Sequence, residues 1–402
     1  MKPTLDESYY TQETQLAADI EFNAPLTEHA LNPKAVFLTG STGLVGSFLL
    51  AELLKNTQAD IYCLVRAENY EQGKTRLISH LQSYQLWQDN YYARIHIVIG
   101  DLAQPLFNLT QSEFNQLANT IDVIYHSAGW INLLFPYAKL KPINVTGVET
   151  ALRLASLYQT KPFHFVSSIA VFYSDAHSSE DTLYEDTLPK FHPSLKADYG
   201  KSKWVADRLV ANAQAKGLPA TIYRPVRILG DSQTGILNDN SELLPRLIKG
   251  CIKMGLYPTW DISITLVPAN YVAQAMVYLA QFDSSFGKAF HCFNKHEIQW
   301  TDLMGILKDL GYAMQPVSAE EWSKELRHFA TWDEQHDKQF FSMLMLSFMG
   351  MHYLFHQRPA FDGANIDNAL ANSNITCPAI DTDLINRYVH YWQQSGFLPL
   401  AN

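Results

Sequence analysis

The most informative pair of chemically reactive residues is a tyrosine and a lysine four positions apart, Tyr199 and Lys203. Residues i and i+4 of a helix share a face, so the ammonium would favour release of the phenol proton to a substrate. The same spacing also occurs in Tyr70/Lys74 and Tyr137/Lys141. Only Tyr199 opens a predicted helix soon after a strand that ends in serines. We therefore predict Tyr199 as proton donor and Ser168 as the hydroxyl that orients a substrate carbonyl.

A glycine-rich segment is the second chemical signal. It follows an apolar run at 35–39, opens a helical pattern, and reads Thr39-Gly40-Ser41-Thr42-Gly43-Leu44-Val45-Gly46. Gly40 permits a tight turn, Gly43 lets a pyrophosphate approach the backbone amides, and Gly46 lets the helix pack close to the sheet. The segment predicts a dinucleotide site, in which Lys203 would hold the ribose.

Two arginines bear on which dinucleotide is bound. Arg66 follows the second predicted strand, where NAD-selective folds carry an acidic residue, and a guanidinium there suits a 2′-phosphate. Arg76 is predicted to assist, with a solvated surface position as the alternative. Asp101 would accept a hydrogen bond from the adenine amino group, with a role in the turn after Gly100 as the alternative. The other residues assigned to the cofactor site are Leu102, Ser127 and Ala128. Arg66 is the residue that makes NADPH the predicted cofactor.

Weaker candidates surround this set. Asn144 would order a proton-relaying water, or serve only the structure, and Tyr137 would line the substrate mouth, or be a loop residue. Tyr70 and Lys74 are predicted to be an exposed helix pair. His352 and His356 share a helical spacing, but no third ligand accompanies them, so no metal site is predicted. The absence of GxSxG, HExxH and Walker motifs argues against common hydrolases and NTPases.

The elements that would position these residues alternate between strand and helix. Strands are predicted at 35–39, 60–65, 95–100, 121–126, 163–167 and 220–224, and helices near 70–84, 110–118, 138–158 and 199–216. This alternation predicts an α/β fold, a Rossmann-type doubly wound parallel sheet, with a smaller, mostly helical C-terminal substrate domain. We expect a lead-in or linker at 1–31 with one helix around 13–21. A nucleotide-binding domain would span 32–230 with 264–294 returning to it, and a substrate domain 231–263 and 295–402.

Composition narrows the function classes. The 402 residues include 30 basic and 40 acidic side chains, for a formal net charge of −10. Because the sequence contains no run of Lys or Arg, binding to nucleic acid is not expected to be its main activity. Four dispersed cysteines and a polar N-terminus predict a reduced, cytoplasmic protein. The apolar stretch 340–355 is too short and too polar to span a membrane and is predicted to be a buried helix or a pocket wall.

The sequence resembles the extended short-chain dehydrogenases/reductases. More narrowly, it resembles the thioester reductase domains of nonribosomal peptide synthetases and carboxylic acid reductases. Beyond the motifs above, the similarity rests on 62–67 (YCLVRA), 126–132 (HSAGWIN), 199–204 (YGKSKW), 223–225 (YRP), 377–378 (CP) and 395–399 (SGFLP).

The resemblance implies an activity. Such domains use NADPH to reduce an acyl, aminoacyl or peptidyl thioester on the phosphopantetheine arm of a carrier protein. They release an aldehyde, which some members reduce again to an alcohol. The resemblance also implies the roles of Ser168, Tyr199 and Lys203 in catalysis.

The implied partner is an acyl or peptidyl carrier protein. Segment 2–22 resembles a linker that would follow a carrier domain. The chain is expected to be a monomer or part of a larger assembly line. Because carrier proteins are typically acidic, a local basic patch is expected, and its candidates are Arg246, Lys249 and Lys253. Other readings are a fatty acyl-CoA reductase, a sugar-nucleotide epimerase and a non-catalytic NADP-binding sensor or scaffold.

Overall fold

A computed structural model describes residues 6–177, 181–195, 197–237, 242–332, 338–349 and 359–401. The chain forms two compact units. One comprises residues 1–226, 269–292 and 359–376, and the other comprises 227–268, 293–358 and 377–402. We refer to them as the sheet unit and the second unit. Among the described residues, no helix combines the length and apolar character that a membrane span requires.

Seven parallel strands form the central sheet of the sheet unit. They are β1 (Ala35–Thr39), β2 (Asp60–Val65), β3 (Ile95–Ile99), β4 (Val123–His126), β5 (Phe163–Val166), β6 (Ala220–Pro225) and β7 (Ala289–Cys292). Their order is β7-β6-β5-β4-β1-β2-β3. All five residues of β1 are buried, as expected for a parallel sheet covered by helices on both faces. The predicted doubly wound sheet is confirmed.

Described helices account for much of the remaining chain. In the sheet unit they are α1 (Glu7–Gln12), α2 (Leu44–Asn56), α3 (Tyr70–Ser83), α4 (Gln111–Thr120), α5 (Tyr137–Lys141), α6 (Gly147–Ser156), α7 (Ala197–Ala215), α9 (Ala269–Leu279) and α13 (Ala364–Leu370). In the second unit they are α8 (Leu243–Met254), α10 (Trp300–Asp309), α11 (Ala319–Trp332), α12 (Lys338–Met349) and α14 (Thr382–Gln394).

Short elements complete the architecture. Short strand pairs are Thr182–Leu183 with Ala360–Phe361, Ile228–Leu229 with Val267–Pro268, Leu256–Pro258 with Gln315–Val317, and Ser263–Ile264 with Ile298–Gln299. The 3-10 helices are Asp89–Arg94, Pro105–Asn108, Ile169–Phe172 and Asp283–Ser285, and one π-helix covers Pro142–Thr146. The single helix predicted at 138–158 is thus a succession of α5, the π-helix and α6.

The N-terminal segment differs from its prediction. Its helix is α1 at Glu7–Gln12 rather than around 13–21, because the Asp6 carboxylate accepts the Tyr9 amide and caps the helix there. Tyr10, Ile20 and Phe22 are buried in the core of the sheet unit. The described part of 1–31 therefore packs as part of this unit.

A second difference concerns 359–376, which the sequence-based division placed in the helical substrate domain. This segment belongs to the sheet unit, because Ala360–Phe361 pairs with Thr182–Leu183 and the buried Glu185 carboxylate accepts the Asn365 and Ile366 amides. Likewise, 264–268 belongs to the second unit, where Val267–Pro268 pairs with Ile228–Leu229.

The second unit has a core of its own. Its largest fully buried side chains include Trp300, Trp322 and Trp392. Of the apolar stretch 340–355, residues up to 349 lie in α12, where Phe341 and Leu344 are buried as predicted. The remainder, with His352 and His356, lies outside the described residues.

Candidate active site

The glycine-rich turn lies where the strand order of the sheet reverses, between β1 and β4. Gly40 follows β1 with a φ of +80°, and a Cβ there would lie 2.7 Å from the Ala128 amide nitrogen beyond β4. A Cβ on Gly46 would lie 1.9 Å from the Gly40 carbonyl oxygen. Both positions require glycine. Open α/β sheets bind ligands at such a switch point.

The segments after β1 and β4 are hydrogen-bonded to each other. The Ser127 amide donates to the Thr39 carbonyl, and the Ala128 amide donates to the Thr39 hydroxyl, each at 3.3 Å. Helix α2 begins after Gly43 with no side-chain cap and no acidic residue in its first turn, so the positive end of its dipole is not neutralised there. The turn therefore fits a pyrophosphate.

A cavity of about 320 Å³ lies beside the ends of β2 and β3. Its lining residues are Arg66, Ala67, Ile99, Gly100, Asp101, Gln104 and Asn108. The Arg66 side chain is exposed, and Arg76 Nη1 donates to the Arg66 carbonyl oxygen at 2.7 Å. Arg76 therefore holds the backbone from which Arg66 extends. The cavity fits the adenosine end of a dinucleotide, with Arg66 suited to a 2′-phosphate.

The loop on the other side of this cavity has an unusual backbone. Leu106, Phe107 and Asn108 have φ angles of 48°, 58° and 63°. The Asp101 amide donates to the Phe107 carbonyl oxygen at 2.9 Å, and the Asp101 carboxylate accepts the Ala103 amide at 3.0 Å. Asp101 thus shapes this loop as well as lining the cavity. Gln104 and Asn108 were not predicted, because only the fold brings their loop to Arg66.

The proposed proton donor and its lysine lie at the start of α7. Tyr199 is half-buried, and Lys203 is buried one turn later. Lys203 Nζ donates to the Val166 carbonyl oxygen at the end of β5 at 2.8 Å and lies 4.7 Å from the centre of the Phe165 ring. Burial lowers the pKa of Lys203 to about 8, against the opposing charge of Asp207.

Ser168 follows β5 and caps the 3-10 helix Ile169–Phe172, because its hydroxyl accepts the Ala170 amide at 3.2 Å. Gly200, next to Tyr199, packs over this turn, with the Ala170 carbonyl oxygen 3.6 Å from where a Cβ would stand. The structure therefore brings the serine turn and the tyrosine turn together, as the sequence predicts. Accepting a bond leaves the Ser168 hydroxyl able to donate one.

A buried ion pair braces the same end of the sheet. Arg224 on β6 binds both carboxylate oxygens of Asp207 on α7, at 2.9 and 3.0 Å, and the Ser167 hydroxyl donates to Asp207 at 2.6 Å. Both charged side chains are almost completely buried. This cluster ties the strand before Ser168 to the helix that carries Tyr199. The sequence analysis did not predict this cluster, although Asp207 lies one turn after Lys203 in the predicted helix 199–216.

The alternative tyrosine–lysine pairs have structural roles. Tyr137 is buried against the rings of Tyr9 and Tyr10, which favours a structural role over the alternative that it lines a substrate mouth. Its partner Lys141 forms an ion pair with Glu13. Lys74 contacts Tyr92, and its Nζ also lies 5.6 Å from the centre of the Tyr70 ring. Within the described residues, no group of three or more His, Cys, Asp or Glu side chains could hold a metal.

Asn144 lies in the π-helix and is buried. Its Oδ1 accepts the Trp130 amide at 2.7 Å, and its Nδ2 donates to the Trp130 carbonyl at 3.1 Å and to the Ser202 hydroxyl at 3.0 Å. The side-chain amide therefore joins the loop after β4 to α7. Of the two alternatives that the sequence left open for Asn144, these bonds show the structural one.

The fold, the glycine turn and the Tyr199/Lys203 pair define an extended short-chain dehydrogenase/reductase with a nicotinamide cofactor. A family profile of NAD-binding proteins, described as "Male sterility protein", matches residues 38–276. The chain belongs to this family and, within it, to the reductase (R) domains of nonribosomal peptide synthetases.

Individual relatives support this assignment. The crystal structure of the terminal R domain from the myxalamid PKS-NRPS biosynthetic pathway is 33% identical, with a TM-score of 0.92, covering 98% of this chain and 99% of that one. A linear gramicidin synthase protein of Brevibacillus parabrevis is 34% identical over 100% of this chain and 8% of its own length. The large subunit of L-2-aminoadipate reductase from Penicillium chrysogenum is 30% identical over 98% of this chain and 30% of its own length. The chain thus spans less than a third of these two curated relatives.

Proposed function

We propose that this chain reduces a thioester, carried on the phosphopantetheine arm of a carrier protein, to an aldehyde with release of the thiol. The observation that carries the proposal is the placement of Tyr199 and Lys203 on α7 beside the Ser168 turn. NADPH supplies the hydride when bound. The reaction balances as thioester, NADPH and a proton giving aldehyde, free thiol and NADP⁺.

The roles of the chain's own residues follow from this placement. Ser168 donates to the thioester carbonyl oxygen and orients it. Tyr199 donates a hydrogen bond and then its proton to the oxygen as negative charge develops there. Lys203, fixed by the Val166 carbonyl, binds the cofactor ribose and favours loss of the Tyr199 proton. His126 ends β4 fully buried, and burial lowers its pKa to about 3, so it is no acid at neutral pH.

NADPH rather than NADH is the proposed reductant because of Arg66. Its exposed guanidinium lines the cavity at the ends of β2 and β3, and it can form charge-assisted hydrogen bonds with a 2′-phosphate. Arg76 supports it through the Arg66 carbonyl. The Asp101 carboxylate would accept a hydrogen bond from the adenine amino group in the same cavity.

The proposed carrier-facing residues lie along α8 of the second unit. Arg246, Lys249 and Lys253 share a helical face. Lys253 is exposed, whereas Lys249 lies over the Phe397 ring at 4.4 Å and Arg246 donates to the Glu242 carbonyl at 3.2 Å. Packing therefore leaves Lys253 as the most accessible cation of the three.

The test is a turnover assay with purified chain. Acyl groups would be offered as pantetheine thioesters, as coenzyme A thioesters and on a phosphopantetheinylated carrier protein, with NADPH or NADH. We expect aldehyde formation and NADPH oxidation with pantetheine and carrier thioesters. A higher kcat/KM for coenzyme A thioesters than for the carrier would instead indicate a fatty acyl-CoA reductase. No oxidation with any thioester would refute the proposal.

A further inference from the structure

The loop between β4 and α5, residues 130–136, is an exposed arch whose first end is fixed to α7. The Asn144 side chain accepts the Trp130 amide at 2.7 Å and donates to the Ser202 hydroxyl at 3.0 Å. Ser202 in turn donates to the Tyr199 carbonyl oxygen at 2.8 Å. This end of the arch is therefore hydrogen-bonded, through two side chains, to the turn that carries the proposed proton donor.

The second end of the arch is fixed to the same helix. The amide of Tyr137, the first residue after the arch, donates to the Asp198 carboxylate at 2.9 Å. Asp198 and Ser202 lie on either side of Tyr199 in the sequence of α7. Both ends of the arch are thus held at the helical turn of Tyr199.

Hydrogen bonds and ring contacts give the arch a defined shape. The Asn132 carboxamide oxygen accepts the Leu134 and Phe135 amides, both at 2.9 Å. The Phe135 and Trp130 rings meet edge to face with centres 4.9 Å apart, and Lys139 Nζ lies 3.6 Å from the centre of the Phe135 ring. The arch is therefore a pre-formed surface.

The outer side chains of the arch are apolar. Ile131 is 71% exposed and Leu134 is 54% exposed, and residues 129–136 contain no charged side chain. A Cβ on Gly129, just before the arch, would stand 4.0 Å from Lys203 Nζ. The exposed apolar side chain of Ile131 thus follows, two residues later, a glycine that lies beside Lys203.

We propose that the arch binds the acyl group of the thioester and that Ile131 and Leu134 set a preference for apolar acyl chains. The inference rests on the proposed function and adds the class of substrate. A group bonded to a carbonyl at Tyr199 must extend into the surroundings of that side chain, where the arch is anchored. Covering Ile131 and Leu134 with a hydrocarbon chain removes apolar surface of both from water, whereas a charged chain would lose hydration against these two side chains.

A binding experiment tests the arch without requiring turnover. S-octyl and S-ethyl pantetheine thioethers, which cannot be reduced, would be titrated calorimetrically into the NADPH-bound protein. We expect the octyl compound to bind about tenfold more tightly than the ethyl compound. The Ile131→Ser/Leu134→Ser double variant should lose most of this preference. Leu31→Ser, which alters an exposed leucine far from α7 in sequence, should retain it.

Several results would overturn the proposal. One is equal binding of both thioethers by the unaltered protein, and another is an undiminished preference in the double variant. A third is weaker binding of a carrier protein by the double variant with unchanged thioether binding, which would make the arch a carrier surface. NADPH affinity checks that the variant is folded. Failure of the proposed function would appear separately, as absent turnover with every thioester.

Discussion

Lys203 Nζ donates a hydrogen bond of 2.8 Å to the carbonyl oxygen of Val166, the last residue of β5. The bond fixes the ammonium of α7 at the carboxyl end of the sheet, one helical turn from Tyr199. A main-chain carbonyl is a neutral partner, so it orients the charge without cancelling it. In the proposed function, this position lets the lysine bind the cofactor ribose and act on the phenol at the same time.

The first prediction concerns the pH dependence of turnover. Burial lowers the pKa of Lys203 to about 8, so its ammonium is present below that pH and is lost as pH rises through it. We expect kcat/KM for a pantetheine thioester to fall on the alkaline side of about pH 8. The Lys203→Arg variant keeps its positive charge to higher pH. In the activity that this variant retains, the alkaline decrease of kcat/KM should therefore occur at higher pH. A profile unchanged above pH 8 in the unaltered enzyme would contradict this assignment.

The second prediction concerns the 2′-phosphate. Removing the Arg66 guanidinium should weaken NADPH binding by about 2 kcal/mol, or roughly thirtyfold, and should leave NADH binding nearly unchanged. Fluorescence titration of Arg66→Ala with both cofactors measures this. Arg76→Ala should have a smaller effect, because Arg76 donates to the Arg66 backbone. The exposed Arg327 of α11 supplies the matched control Arg327→Ala. Equal losses for NADPH and NADH would count against the assignment.

The third prediction concerns the buried Asp207–Arg224 pair. Replacing Asp207 by alanine leaves the Arg224 guanidinium buried without its carboxylate and should lower the free energy of unfolding by about 3–5 kcal/mol. The double variant Asp207→Leu/Arg224→Met removes both charges and should recover much of the loss. Denaturant titration measures both. A loss below about 1 kcal/mol for Asp207→Ala would show that the pair is not a major brace.

The fourth prediction concerns Glu185. Burial raises the pKa of this carboxyl from its ordinary 4.5 to about 7, although its carboxylate oxygens accept the His291, Asn365 and Ile366 amides. A raised pKa means that the folded protein holds a proton the unfolded chain releases. Stability should therefore fall as pH rises from about 4.5 to 7 and vary little with this group above that. Melting temperatures of the unaltered protein and Glu185→Gln across this range measure the effect, which should be smaller in the variant.

Much of this site could be predicted from local sequence. The buried strands and the helices between them produce a regular alternation, and the glycine turn follows the first strand within a few residues. Tyr199 and Lys203 lie on one helix, and the position of that helix after β5 separated them from the two other copies of the spacing. Each of these features depends on residues close together in the chain.

The errors arose where distant residues decide the structure. The burial of Tyr137 could not be predicted locally, because the aromatic rings that cover it come from α1. Glu185 binds backbone amides of segment 359–376 and holds this segment in the sheet unit, although the two are about 180 residues apart in the chain. No local sequence pattern reveals a hydrogen bond between residues this distant. For Asn144 the sequence left two alternatives open, and its bonds to Trp130 and Ser202, which are distant in the chain, show the structural role.

Transfer of deuterium from the cofactor to the product tests the central claim most directly. NADPH deuterated at the transferred C4 position would be supplied with a carrier-bound thioester, and the aldehyde would be trapped as an oxime for mass spectrometry. We predict an aldehyde with one deuterium at its carbonyl carbon from the unaltered enzyme, and almost none from Tyr199→Phe, which should still bind NADPH. Release of the free acid, or an aldehyde without deuterium, would contradict reductive release by this chain.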